Sequence, residues 1–144
     1  VAAMLIAFIS MVAMINFALG LLGTSMQEIL GLLFKPLAWT MGIPWKDAEI
    51  VGVLLGEKIV LTELIAFRDL SDYVAKNILS ERSIIITSYA LCGFANFGSI
   101  GIQLGGIGSM APERKKDLSR IVFKAMLGGA IASWLTASIV GIII

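Results

Sequence analysis

Residues 84–112 read IIITSYALCGFANFGSIGIQLGGIGSMAP and carry no charge. This stretch begins as an apolar helix and then meets six glycines, at 93, 98, 101, 105, 106 and 108. Each glycine costs a helix up to about 1 kcal/mol relative to alanine, so one smooth helix is disfavoured. The pattern predicts two half-helices joined by an unwound segment that carries Asn96 and Ser99.

The composition of the whole chain predicts a protein whose main solvent is lipid. Of its 144 residues, 58% are hydrophobic and only 15% are charged, against roughly 25% charged residues in soluble domains. The absence of histidine excludes a histidine-based catalytic triad and most zinc sites. The single cysteine, Cys92, excludes an intrachain disulfide and is expected to be a small packing residue. A net charge of +1 gives no indication of a nucleic-acid partner.

The segments outside the glycine-rich stretch predict the remaining helices of an all-α membrane protein. Residues 1–23 carry no charge, and a helix over Val1–Leu22 would be about 33 Å long, enough to cross a bilayer core of about 30 Å. Residues 24–41 predict an amphipathic helix at the membrane interface. Residues 113–144 predict the last spanning helix, and the basic cluster at its start predicts a cytoplasmic position.

Two finer expectations concern the first of these helices and the turn that follows it. Asn16 is the only strongly polar side chain of the first helix, and it could face a neighbouring helix or a pore. Thr24 or Ser25 is the candidate N-cap of the interfacial helix.

Residues 45–69 predict a re-entrant helical hairpin. Their apolar pieces are interrupted by Glu57, Lys58 and Glu63. A single spanning helix would place these charges near the middle of the membrane, where they are costly. A hairpin tolerates them if its tip faces protein or water. Glu63 is therefore expected at the hairpin tip or just past it, and a broken helix follows over residues 80–110.

Glu63, Asn96 and Ser99 are the candidate binding residues, because each places hydrogen-bonding groups near the membrane midplane. A small polar ligand with several hydroxyls, held between hairpin and broken helix, would satisfy them, and Phe94 could supply an apolar or stacking surface. Simpler roles remain open. Glu63 could pair with Lys58 as a buried ion pair, and Asn96 and Ser99 could only satisfy the unwound backbone. Glu57 and Lys58 could also be a solvated loop pair.

The motifs in these segments resemble those of the concentrative nucleoside transporter family. Residues 88–102, SYALCGFANFGSIGI, are similar to the family signature ALCGFAN-x-x-S-I, and residues 104–108 continue it as LGG-x-G. Residues 56–67, GEKIVLTELIAF, resemble the hairpin segment of the family, and residues 112–116 resemble its linker into the last helix. The resemblance covers essentially the whole chain and is most specific over residues 89–108.

The resemblance implies a trimeric inner-membrane symporter, not an enzyme, that imports nucleosides by alternating access. A coupling cation, Na+ or H+, drives the uptake, and no other cofactor is implied. Residues 1–23 would be a scaffold helix, residues 24–41 an interfacial helix, and residues 45–144 a transport domain. The resemblance assigns Glu63, Asn96 and Ser99 to the ribose hydroxyls and Phe94 to the sugar or the base.

Some positions depart from the family pattern. Thr62 and Leu64 stand where the family often has Asn and Phe, and Gly98 stands where Ser is common. The glutamate is retained, so ribose recognition is expected to survive. The choice between sodium and proton, and between purine and pyrimidine, stays open.

The relation of this chain to a complete transporter is a further expectation. The sequence begins without Met inside an apolar run, and we expect it to be the C-terminal part of a longer protein. The family's first hairpin, which helps bind the nucleobase and sodium, is not in these residues. The alternatives are a transporter of another small polar solute with the same architecture, or a structural membrane subunit.

Overall fold

A computed structural model describes residues 2–144, apart from the side chains of residues 2, 4, 5 and 8, so Val1 of the predicted first helix lies outside the described residues. The described chain is all helical, as predicted. The α-helices are α1 (Ala2–Gly20), α2 (Met26–Thr40), α3 (Trp45–Val60), α4 (Glu63–Ala75), α5 (Glu81–Leu91), α6 (Phe97–Met110) and α7 (Lys115–Ile143). A short 3-10 turn, Pro112–Arg114, precedes α7.

The core lies where α3 meets α2, α4 and α5, with α7 packed on the far side of α5. Val51, Leu54 and Leu55 of α3 are fully buried, as are Ile86 and Leu91 of α5. A second, smaller cluster joins the end of α3 to the middle of α7. Helix α1 packs mainly on α6. Helix α3 is therefore the central element, and it carries the α3–α4 turn into contact with the interruption between α5 and α6.

Helices α2 and α3 approach so closely that their backbones touch. A Cβ atom added at Gly52 would overlap the carbonyl oxygen of Gly31, and one added at Gly31 would lie 2.8 Å from a methyl carbon of Val53. One turn along, a Cβ at Gly56 would lie 2.7 Å from the carbonyl oxygen of Gln27. Glycine at these positions leaves the space for the two helices to meet.

Polar side chains join the helices at the end of the molecule where α3 and α5 begin. The buried carboxylate of Asp47 accepts hydrogen bonds from the hydroxyls of Ser80 and Ser83, at 2.7 and 2.6 Å. Arg82 donates to the carbonyl oxygens of Gly42 and Gly141. These contacts fix the start of α5 against α3 and against the end of α7.

The structure adds detail to the sequence prediction at the start of α2, at Asn16 and at the end of α4. Ser25, and not Thr24, is the N-cap of α2, because its hydroxyl accepts from Glu28 N–H in a capping box. Asn16 faces a neighbouring helix and accepts from Met26 N–H at 2.9 Å. Helix α4 continues past the predicted boundary at residue 69 to Ala75, because Leu70 is buried in the core one turn beyond Ala66.

The apolar character of the last helix agrees with a membrane span. Within residues 2–144, one helical stretch, Pro112–Ile143, is long and apolar enough to cross a membrane. Ile9–Gly20 is a shorter apolar stretch. Helix α7 leaves large side chains such as Ile131, Leu135 and Ile142 exposed. A surface of this kind is stable only against lipid or against other protein.

Substitution of Gly52 by alanine tests the contact between α2 and α3. We expect Gly52→Ala to lower the thermal unfolding temperature of the full-length protein, because overpacking of this kind costs about 1–3 kcal/mol. Gly128→Ala is the matched control, since a Cβ there meets nothing within 4 Å in this chain. Equal unfolding temperatures for the two variants in detergent would show that the added methyl group between α2 and α3 does not lower stability.

Candidate functional site

The candidate site lies at the interruption between α5 and α6. Helix α5 ends at Leu91 and α6 begins at Phe97, so five residues pass between the two helix ends without helical hydrogen bonding. Gly93 has a φ of +133°, a backbone conformation that residues other than glycine rarely adopt. A Cβ at Gly93 would also lie 2.6 Å from the hydroxyl of Ser133 on α7. Glycine is therefore required where the chain leaves α5.

Asn96 and Ser99 form a reciprocal cap at the start of α6. The side-chain oxygen of Asn96 accepts from Ser99 N–H at 2.8 Å, and Asn96 N–H donates to the Ser99 hydroxyl at 3.3 Å. The Ser99 hydroxyl donates to the carbonyl oxygen of Asn96 at 2.6 Å. Both residues are almost completely buried, at 1% and 4% exposure. The backbone-satisfying role considered from the sequence is therefore present in the structure.

The cap also reaches the hairpin formed by α3 and α4. The side-chain amide of Asn96 donates to Glu63 Oε2 at 3.1 Å, which joins the start of α6 to the start of α4. Glu63 is the first residue of α4 and is partly buried. Its other oxygen, Oε1, has no hydrogen-bond partner among residues 2–144. The structure thus brings together three of the four predicted binding residues.

Phe94, the fourth, lies in the same interruption but takes no part in these hydrogen bonds. It is 70% exposed, while Ala95 beside it is buried against α7. Cys92 is also exposed in this chain and does not belong to its core. The backbone turns at Gly93, and this turn places the neighbouring side chains outside the core.

Lys58 is the residue at this site whose role the sequence did not predict. Its side chain is completely buried, and its ammonium donates to the carbonyl oxygen of Ala90 at 2.8 Å. Helix α3 runs without a break through Gly56, Glu57 and Lys58, so the solvated loop pair considered above is wrong. In the described part of the chain, the ion pairs join Lys35 to Glu49, Arg68 to Asp69 and Arg114 to Asp117. Within that part, no ion pair joins Lys58 to Glu63.

Comparisons with known proteins decide the family. Residues 1–141 match the family model described as the C-terminus of Na+-dependent nucleoside transporters. This chain belongs to the concentrative nucleoside transporter family. It is 43% identical to the mouse sodium/nucleoside cotransporter 1, over 99% of the chain and 25% of that protein. It is 42% identical to the nucleoside permease NupC of Helicobacter pylori, over all of the chain and 37% of that protein.

Solved structures of the family have the same fold. A structure of a CNTnw variant in an intermediate state superposes with a TM-score of 0.90, at 42% identity, over 99% of this chain and 37% of that one. CNTnw in an inward-facing, substrate-bound state superposes with a TM-score of 0.83, at 43% identity, over 97% of this chain and 35% of that one. The chain therefore spans between a quarter and two-fifths of the length of these relatives.

Membership of this family confirms two further expectations. The family consists of integral membrane transporters, so the chain is part of a membrane protein. It is a family of transporters and not of enzymes, as the sequence analysis predicted.

A pair of substitutions at Asn96 separates capping from contact with Glu63. Serine keeps a capping oxygen but lacks the amide that donates to Glu63, whereas alanine lacks both. We expect Asn96→Ala to destabilise the protein by about 1–2 kcal/mol more than Asn96→Ser. Thermal unfolding of the purified full-length protein measures the difference. Equal losses in both variants would show that the cap contributes nothing to stability.

Proposed function

We propose that this chain is the C-terminal part of a cation-coupled nucleoside symporter that works by alternating access. The observation that carries the proposal is the contact of Glu63 with Asn96, because it places a carboxylate and an amide where the hairpin tip meets the interruption. The names of the relatives, which are nucleoside cotransporters and a nucleoside permease, support the substrate class.

The polar groups of the site suit the hydroxyls of a ribose. Oε1 of Glu63 is open to accept a hydrogen bond from one hydroxyl, and Oε2 becomes open if the amide of Asn96 turns to the ligand. The hydroxyl of Ser99 already donates to the backbone, so it would serve a ligand as an acceptor through its remaining lone pair. Phe94 is exposed beside them and would cover the apolar face of the sugar or the base.

In the membrane, α3 and α4 would form a re-entrant hairpin, and α5 and α6 a broken spanning helix. Two observations support this placement. The α3–α4 turn at Leu61 and Thr62 lies at the interruption, and the charged groups near it, Lys58 and Glu63, both have partners there. We propose residues 1–23 as scaffold, residues 24–41 as an interfacial helix, and residues 45–144 as the transport domain. The close contact of α2 with α3 implies that the interfacial helix and the hairpin support each other.

We propose Na+ as the coupling ion, because the matching family model and the mouse relative are both named for sodium. The ligands of the coupling ion are proposed to lie mostly outside this chain, because the family resemblance assigns sodium binding to the first hairpin, which is not in these residues.

We also propose that the protein is a homotrimer in the inner membrane of a bacterium. Helix α1 supports an assembly, because large apolar side chains such as Ile6, Met14 and Phe17 stay exposed on it. In a trimer these side chains would contact the same helix of other copies, and the remaining apolar faces would contact lipid. The mass of the full-length protein in native mass spectrometry tests the assembly, and a monomeric mass would contradict it.

Uptake of radiolabelled uridine by cells that express the full-length protein tests the function. We expect saturable uptake that depends on a sodium gradient and falls at least tenfold in Glu63→Gln, because the amide is a weaker acceptor and carries no charge. Glu81→Gln is the matched control, since Glu81 is also the first residue of its helix but is exposed.

Each result of the uptake experiment has a distinct meaning. Uptake that follows an imposed pH gradient, and not a sodium gradient, would overturn the coupling ion but keep the substrate. If a correctly inserted wild type takes up no nucleoside, the remaining function is transport of another solute. Unchanged uptake in Glu63→Gln would remove Glu63 from the site.

A further inference from the structure

Lys58 is the most deeply buried charge in the described part of the chain. Its exposed fraction is zero, and it lies in the last turn of α3, just before the turn into α4. Burying an unpaired ammonium costs several kcal/mol, so such a side chain persists in a membrane protein where it has a specific role.

The contact that Lys58 makes is with an open helix end. Helix α5 ends at Leu91, so the carbonyl of Ala90 has no N–H group four residues further along the helix. Lys58 Nζ donates to this carbonyl at 2.8 Å and so acts as a C-terminal cap supplied by another helix. It also lies under the turn at Gly93, because a Cβ there would be 3.9 Å from Nζ.

Glu63 faces the opposite helix end. Glu63 comes five residues after Lys58 in the chain, and it accepts a hydrogen bond from Asn96, the N-cap of α6. The carbonyl end of a helix attracts positive charge and the amide end attracts negative charge. Each charged residue near the tip of the α3–α4 hairpin therefore meets the helix end that favours its charge. Lys58 meets the carbonyl end of α5, and Glu63 meets the amide end of α6.

The ionisable groups around Lys58 are few. Glu63 on α4 and Cys92 after α5 are near enough to interact with its charge. Glu57, its neighbour in the chain, interacts with Arg68 and Asp69 on α4 instead. Lys58 and Glu63 therefore lie near each other at the hairpin tip, although the two groups are not in ion-pair contact.

We propose that Lys58 is a positioning residue, which docks the hairpin on the carbonyl end of α5 and so holds Glu63 against the N-cap of α6. It does not touch the ligand and acts through Glu63. This inference rests on the proposed function for its effect on nucleoside binding, but the docking itself does not depend on which ligand binds.

The binding test measures the dissociation constant of uridine for the purified full-length protein in saturating NaCl. We expect Lys58→Met to raise the constant at least tenfold, because the docking contact is lost and Glu63 is no longer held against α6. In the Glu63→Gln background we expect Lys58→Met to change the constant less than twofold, because Lys58 acts through Glu63.

Two further variants serve as controls. Lys46→Met makes the same change at an exposed position of the same helix and should leave the constant within twofold of wild type. If Lys58→Met does not fold, Lys58→Gln removes the charge and should show the same loss of affinity.

A purely structural role for Lys58 would give an equal loss of affinity in the wild-type and Glu63→Gln backgrounds, and that result would overturn the proposal. A constant within twofold of wild type in Lys58→Met would do the same. Amide hydrogen exchange tests the docking without a ligand. In Lys58→Met, but not in Lys46→Met, exchange at residues 61–63 and 92–96 should be at least tenfold faster than in the wild type. Equal exchange would overturn the docking even if the wild type binds no nucleoside.

Discussion

An interrupted helix must find partners for the backbone groups it frees, and the architecture of this chain is built around that requirement. Where water is excluded, each unsatisfied group costs several kcal/mol. The chain meets this constraint at both ends of the interruption, with different chemistry at each. A lysine from another helix caps α5 through Ala90, and a local pair of side chains, Asn96 and Ser99, caps α6. The polar groups of the candidate site are the same groups that hold the backbone together.

The position of these caps depends on how closely the helices around α3 pack. Gly31, Gly52 and Gly56 let α2 lie directly on α3, and the polar contacts of Asp47 and Arg82 fix the start of α5. Lys58 can reach Ala90 only because α3 and α5 are held in this register. Contacts far from the site therefore set the geometry of the site, and residues that never meet a ligand determine its shape.

The sequence predicted the helices better than it predicted the contacts between them. The density of glycines predicted the interruption after Leu91, and the cost of burying charge predicted the turn before Glu63. Burial could not be read from the local pattern. Gly56, Glu57 and Lys58 look like a solvated break, yet they are helical because α2 and α5 cover them. Cys92 looks like a core residue, yet it is exposed because Gly93 turns the chain. The partner of Lys58 is 32 residues away in the chain, and only the tertiary fold reveals it.

On the proposed function, the hydrogen bond between Asn96 and Glu63 would ease the return of an empty carrier. A symporter must reorient without substrate in every cycle, and a site with orphaned polar groups would make that step costly. Here the amide of Asn96 and Oε2 of Glu63 satisfy each other across 3.1 Å. A ligand would exchange partners with these two groups. The site would thus give up some affinity for its ligand, and fewer of its polar groups would be unpaired in the membrane's low-dielectric interior during the empty step.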